Sequence, residues 1–224
     1  MPDIDVGALL INIIVFAVPV LLAITVHEAA HGYAARHFGD PTAAALGRIT
    51  LNPLKHIDLV GTIIMPIALL ILTKGTFAFG YAKPVPVNFA KLRNPKKDML
   101  WVALAGPATN FIQAFIWALL LVIGFKIGLE ATYFTKIASV GISVNLVLCV
   151  LNLFFIPPLD GGRILVSLLP NNLAIGLASV ERYGFLIVIG LLVAGILDKF
   201  WISPLMRVGL NLINWVVFQP LGIS

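Results

Sequence analysis

Residues 6–38 read VGALLINIIVFAVPVLLAITVHEAAHGYAARHF, and this stretch decides the fold. Val6 to Val26 is an almost unbroken apolar run, long enough at about 1.5 Å per helical residue to cross a hydrocarbon core of about 30 Å. The helical pattern does not stop there. It continues to about Phe38 and carries His27-Glu28-Ala29-Ala30-His31 directly after the apolar run. Ionisable groups at such depth cost of order 2.5 to 3.5 kcal/mol each on insertion scales, so their presence points to chemistry.

Outward from that segment, the whole chain has the same character. It has 224 residues, 60% hydrophobic and 11% charged, against about 25% charged in an ordinary soluble domain. Its mean hydropathy is +1.02. A typical cytosolic enzyme is thereby excluded, and an all-α polytopic membrane protein in a lipid bilayer is expected. The net charge of +5 then reads as an excess of cytoplasmic-loop Lys and Arg, and no nucleic-acid module is visible. The single cysteine, Cys149, allows no intramolecular disulfide and sits in an apolar run as a small hydrophobe. The N-terminus lacks the basic n-region of a signal peptide, so the first segment is expected to stay in the mature protein.

Apolar length divides the chain into six segments: Val6 to about Phe38, Ile57 to Thr73, Met99 to Phe125, Ile137 to Leu169, Tyr183 to Ile202 and Leu205 to Phe218. The last rises only about 21 Å and carries Arg207, Asn211 and Asn214 on one face. That stripe is expected to tuck against other helices or to lie in the interface. Between Gly75 and Pro95, Phe77, Phe79 and Tyr81 alternate with small residues before Pro84 and Pro86, which reads as a short re-entrant strand or hairpin. With no soluble insert or repeat, residues 1–224 are expected to form a single membrane-embedded domain.

Two histidines four residues apart lie on one face of a helix and can grip one metal ion. Glu28 flanks that face without competing as a ligand. In such an H-E-x-x-H pattern zinc lowers the pKa of a water to about 7, and the carboxylate takes the proton as general base. A third protein ligand is needed, and His37, His56, Asp58, Asp98, Glu130, Asp198 and Cys149 are candidates beside Asp160. Most of them sit at segment ends. Asp160 interrupts an apolar stretch, introduced by Asn152 and Pro157-Pro158 and followed by Gly161-Gly162. The prolines bend the segment and turn the carboxylate inward. Two neutral imidazoles, one carboxylate and one hydroxide bring Zn²⁺ near zero net charge, which lipid tolerates. His37 and His56 read as exposed loop histidines.

Five ordered motifs resemble a known family: His27-Glu28-x-x-His31; Gly47-Arg48-Ile49-Thr50-Leu51-Asn52-Pro53; Ala82-Lys83-Pro84-Val85-Pro86-Val87-Asn88; Ala105-Gly106-Pro107-x-x-Asn110; and Asn152 through Pro157-Pro158-Leu159-Asp160-Gly161-Gly162. They are similar to those of the site-2 proteases, intramembrane zinc metalloproteases, in the compact prokaryotic form without a PDZ or CBS domain. The resemblance implies that His27, His31 and Asp160 hold one Zn²⁺ per chain and that Glu28 is the base. It implies that Asn110 and Asn152 line the site near the substrate or the developing oxyanion. By spacing alone, both asparagines serve equally well as helix–helix hydrogen-bonding residues. The chain carries Phe155 where family members commonly have proline.

The implied activity is hydrolysis of a peptide bond in or near the transmembrane segment of a membrane-protein substrate. The implied location is the prokaryotic inner membrane, with the active site toward the cytoplasm. Two rivals remain at this point: a metal or ion transporter, which would use Glu28 as a ligand, and a catalytically silent homologue that only binds membrane proteins.

Overall fold

The computed structural model describes residues 6–72, 80–130 and 132–222, and these are helices joined by loops, with no strand among the described residues. Helix α1 is Val6–His37, α2 Thr42–Ala45, α3 Met65–Leu72 (preceded by a π-helical turn, Leu59–Ile64), and α4 Pro95–Lys126. Then come α5 Tyr133–Asn152, α6 Asp160–Leu168, α7 Asn171–Ser179, α8 Glu181–Val193 and α9 Ser203–Ile213. Arg36 and His37 close the last turn of α1, and Pro95 opens α4 where its missing N–H costs nothing.

Among the described residues, four helical spans are long and apolar enough to cross a membrane: Ile13–His37, Pro95–Lys126, Tyr133–Asn152 and Asp198–Leu221. A fifth arises if α7 and α8, bent by 64°, count as one. The six segments expected from apolar length are therefore corrected in three places, the first being Tyr183 to Ile202, which breaks after Val193 where Gly195 takes φ +69°. Ile137 to Leu169 is not one span, because α5 ends at Asn152 and α6 starts only at Asp160. Pro157 and Pro158 between them lack the donors that a continuous helix needs. Conversely, the expected boundary between Ile202 and Leu205 is absent. Pro204 sits in the first turn of α9, directly after the π-helical turn Asp198–Ile202, a place where a missing N–H is tolerated.

The polar stripe of α9 also faces the other way from the tucked arrangement. Arg207, Asn211 and Asn214 are exposed, while Gly209, Ile213 and Val217 are buried against the bundle. The apolar segment before the expected strand is helical from Leu59 to Leu72, and the described part of Gly75 to Pro95 holds no strand. Phe77 and Phe79 lie outside the described residues, and Tyr81 is in an irregular segment.

Hydrogen bonds between helices set their directions. Val102 of α4 pairs with His31, and Asn110, two turns later, pairs with Ala23 and His27. Helix α4 therefore runs antiparallel to α1. Asn145 of α5 meets Asn110 near the level of Ala23, and Asp160 meets His27 and His31 further on, so this part of the chain runs with α1. Ala114 and Ala118 of α4 are wholly buried beside Ala138, Ile142 and Leu146 of α5. Small residues allow that close approach, and packing holds helices together where lipid offers no hydrophobic drive.

At the end of α1 near His31, the loops are tied by polar groups. Asp40 is buried and accepts from the Thr42 hydroxyl, the Thr42 amide and the Asn88 amide. Burial pushes its carboxyl up, but these bonds and the nearby Lys91 charge together hold it below the usual carboxylate range. His56 is buried rather than exposed, its ring bonded to the Thr50 carbonyl at 2.9 Å. His37 is exposed, as expected.

Candidate metal centre

Helix α1 supplies His27 and His31 one turn apart, and the break after α5 delivers Asp160 in the first turn of α6. His27 and Asp160 are buried, and His31 is nearly so. Their ligand atoms gather into one group, every pair within 4.8 Å. The two Nε2 atoms are 3.0 Å apart, and Asp160 Oδ2 is 3.2 Å from His27 Nε2 and 3.3 Å from His31 Nε2. A tetrahedral ion with ligands at about 2.0–2.1 Å needs ligand atoms about 3.3 Å apart.

Protons make the same point more sharply. His31 Nδ1 is 2.7 Å from the Val102 carbonyl, which can only accept, so that nitrogen carries the hydrogen. His27 Nδ1 is 2.5 Å from Asn110 Oδ1. The amide nitrogen of Asn110 is committed to the Ala23 carbonyl and to Asn145 Oδ1. With both Nδ1 atoms donating, both Nε2 atoms of the neutral rings present lone pairs toward each other and toward Asp160 Oδ2. That oxygen is buried and has no hydrogen-bond partner. With both rings neutral, three buried acceptors point at one spot with no donor among them, and a metal cation is a group that satisfies all three.

Glycine at position 106 makes room for this. A Cβ there would overlap His31 Nε2 and come within 2.5 Å of His27 Cε1. Helix α4 thus lies directly over the two rings.

Glu28 stands beside the group and outside it. Its Oε2 accepts the Val85 backbone N–H at 2.6 Å. Asn110 is 0% exposed and sits behind His27, fixing its tautomer. Asn152, in the last turn of α5, donates its amide to the Leu148 carbonyl of its own helix. Phe155 is 47% exposed and packs on Phe154 and Trp201. The bend is present with phenylalanine at this position.

Asn145 escaped the sequence reading. It is wholly buried, accepts from Asn110 and donates to the Gly141 carbonyl, so it supports the residue that supports His27. The available signal was an asparagine in mid-span, two turns before Asn152.

Comparison with known proteins agrees with this geometry. The model of Peptidase family M50 matches residues 15–138. The chain is 37% identical over 212 residues to "Putative zinc metalloprotease YwhC" of Bacillus subtilis, covering 91% of this chain and 92% of that one. It is 33% identical over 182 residues to "Putative zinc metalloprotease Rip2" of Mycolicibacterium smegmatis, covering 81% of this chain and 67% of that one. No solved structure matches. A family match over more than half the chain, joined to a relative aligned over nearly its whole length, shows that this chain belongs to peptidase family M50, the site-2 proteases.

Proposed function

We propose that the chain is an intramembrane metalloprotease in which His27, His31 and Asp160 hold one Zn²⁺ and Glu28 is the general base. The observation that carries this reading is the convergence of His27, His31 and Asp160 on one spot, with a separate carboxylate held beside it. When bound, the metal supplies Lewis-acid activation of water and of the scissile carbonyl. Glu28 accepts a proton from the attacking water at Oε1, since Oε2 is occupied by Val85. Asn110 keeps His27 in the ligating tautomer, and the Val102 carbonyl does the same for His31. The transporter reading loses support because Glu28 is not in the ligand group. Asn152 is the polar residue proposed on the substrate side.

The substrate is a transmembrane segment of another membrane protein. Its scissile bond must leave its own helix first, since intrahelical hydrogen bonds shield it. Arg36, Arg48, Lys55, Lys91, Arg93, Lys96 and Lys97 belong to the loops and helix ends around the His31 end of α1. By the charge bias of membrane loops that end is cytoplasmic. The proposed reading of residues 57–96 is a segment that enters the membrane and returns. Its support is that the Tyr81 amide donates to Gly61 and the Lys83 amide to His56, so the returning chain lies against the outgoing one.

Two experiments follow. Purified protein in detergent is incubated with a panel of single-span membrane proteins. Cleavage in or near the transmembrane segment should be lost with a zinc chelator and restored by Zn²⁺, and zinc-loaded protein that cleaves none of them speaks for the silent homologue. For topology, Lys55→Cys and Lys96→Cys in a Cys149→Ser background should both resist impermeant thiol reagent on intact cells. Labelling of only one sinks the re-entrant reading.

A further inference from the structure

A general base must present one oxygen in a fixed direction, yet a glutamate on a helix has three rotatable bonds. Here Glu28 Oε2 is held by the Val85 amide at 2.6 Å. Val85 belongs to an irregular strap, Lys83-Pro84-Val85-Pro86-Val87-Asn88, which lies across α1. Proline on each side locks φ and offers no N–H. The Val85 amide is therefore the one backbone donor in the Pro-Val-Pro stretch.

The strap is tied at both ends. Its Lys83 amide donates to His56 and its Asn88 amide to Asp40 Oδ2, at 2.9 and 2.7 Å. Between these ties, Arg48 Nη2 donates to the Lys83 carbonyl at 3.0 Å and to the Pro84 carbonyl at 3.2 Å. Those are the two carbonyls immediately before Val85. The neighbour of Arg48, Ile49, packs with Val85 over Gly32, where a Cβ would come within 2.9 Å of Ile49 Cγ1 and 3.1 Å of Val85 Cγ1. One short turn thus grips the strap from outside with a guanidinium and seats it from inside with a side chain.

We infer that Arg48 is a positioning residue for Glu28, acting through the strap. By fixing the Lys83 and Pro84 carbonyls it fixes the plane of the peptide that carries the Val85 N–H, and that N–H fixes the carboxylate. Arginine suits the task because its always-charged guanidinium reaches the strap on a long side chain and makes charge-assisted bonds from Nη2 to two carbonyls at once. The inference rests on Glu28 being the base, and its test separates the two.

Misplacing a catalytic group by about 1 Å can cost about 100-fold. With the single-span membrane protein that the wild type cleaves in the panel above, Arg48→Ala should lower kcat about 10- to 100-fold, with KM within about twofold and zinc still at one per chain. Arg48→Lys should recover part of the loss. Val85→Pro removes the donor itself and should lower kcat at least as far as Arg48→Ala. The double variant should be no worse than Val85→Pro alone, because both changes break the same link. Without any substrate, hydrogen–deuterium exchange at the Val85 amide should accelerate in Arg48→Ala and in Glu28→Ala. A raised KM at unchanged kcat would make Arg48 a substrate contact, and lost zinc would make it merely structural. Losses that multiply in the double variant, or Val85 exchange unchanged by Arg48→Ala, would each overturn the inference. The base assignment fails separately, if Glu28→Gln turns over at the wild-type rate.

Discussion

Glu28→Gln is expected to retain about one zinc per chain while cleavage falls by about 10²- to 10⁴-fold, the range a positioned general base contributes. Glutamine keeps the length of the side chain, and its carbonyl oxygen can still accept the Val85 amide, so the strap and the fold persist. What disappears is the basic oxygen. His27→Ala and Asp160→Ala should behave differently, because each removes one of three ligand atoms that lie within 4.8 Å of one another. Those variants lose metal first and activity as a result. Zinc per chain measured beside turnover separates the two classes, and a Glu28→Gln protein cleaving at wild-type rate would remove the base from the mechanism.

Gly106→Ala should weaken zinc binding and activity at least tenfold through a single methyl group. Its Cβ would lie 2.5 and 2.6 Å from His27 Cε1 and Nε2 and overlap His31 Nε2, so one ring or the helix must move. Both rings are already fixed from behind, His27 by Asn110 and His31 by the Val102 carbonyl on α4 itself. Neither has a free direction of retreat. Alanine favours a helix over glycine by about 1 kcal/mol, so the protein should still fold. We expect zinc affinity at least tenfold weaker, in line with the 10- to 100-fold cost of disturbing the partners of metal ligands. Gly190→Ala on α8, where a Cβ meets nothing within 4 Å, is the matched control and should keep full zinc and activity. A Gly106→Ala protein with one tightly held zinc and normal turnover would mean that α4 does not define the site.

Some of this was legible in residues 6–38 alone. An apolar run long enough to cross lipid, followed by His27, Glu28 and His31 at helical spacing, states both the solvent and the chemistry, because helix geometry places residues i and i+4 on one face whatever surrounds them. Asp160 could be found because a carboxylate after an apolar run stands out against the cost of burying it. Span boundaries were less legible. Apolar length does not register that a helix stops between Asn152 and Asp160, or that the last span runs on through Pro204.

The supporting groups belonged to tertiary structure entirely. Asn110 was visible as a polar residue near a motif, but only the folded chain sets it behind His27, with Asn145 behind it in turn. Nothing local to Glu28 announces that its partner is the amide of Val85, or that Arg48 grips the carbonyls before it. Periodicity and propensity are properties of neighbouring residues, so the sequence by itself determined the membrane class and the local half of the candidate metal site. Hydrogen bonds between distant segments depend on where whole helices end and how they pack, and those only the tertiary structure decided.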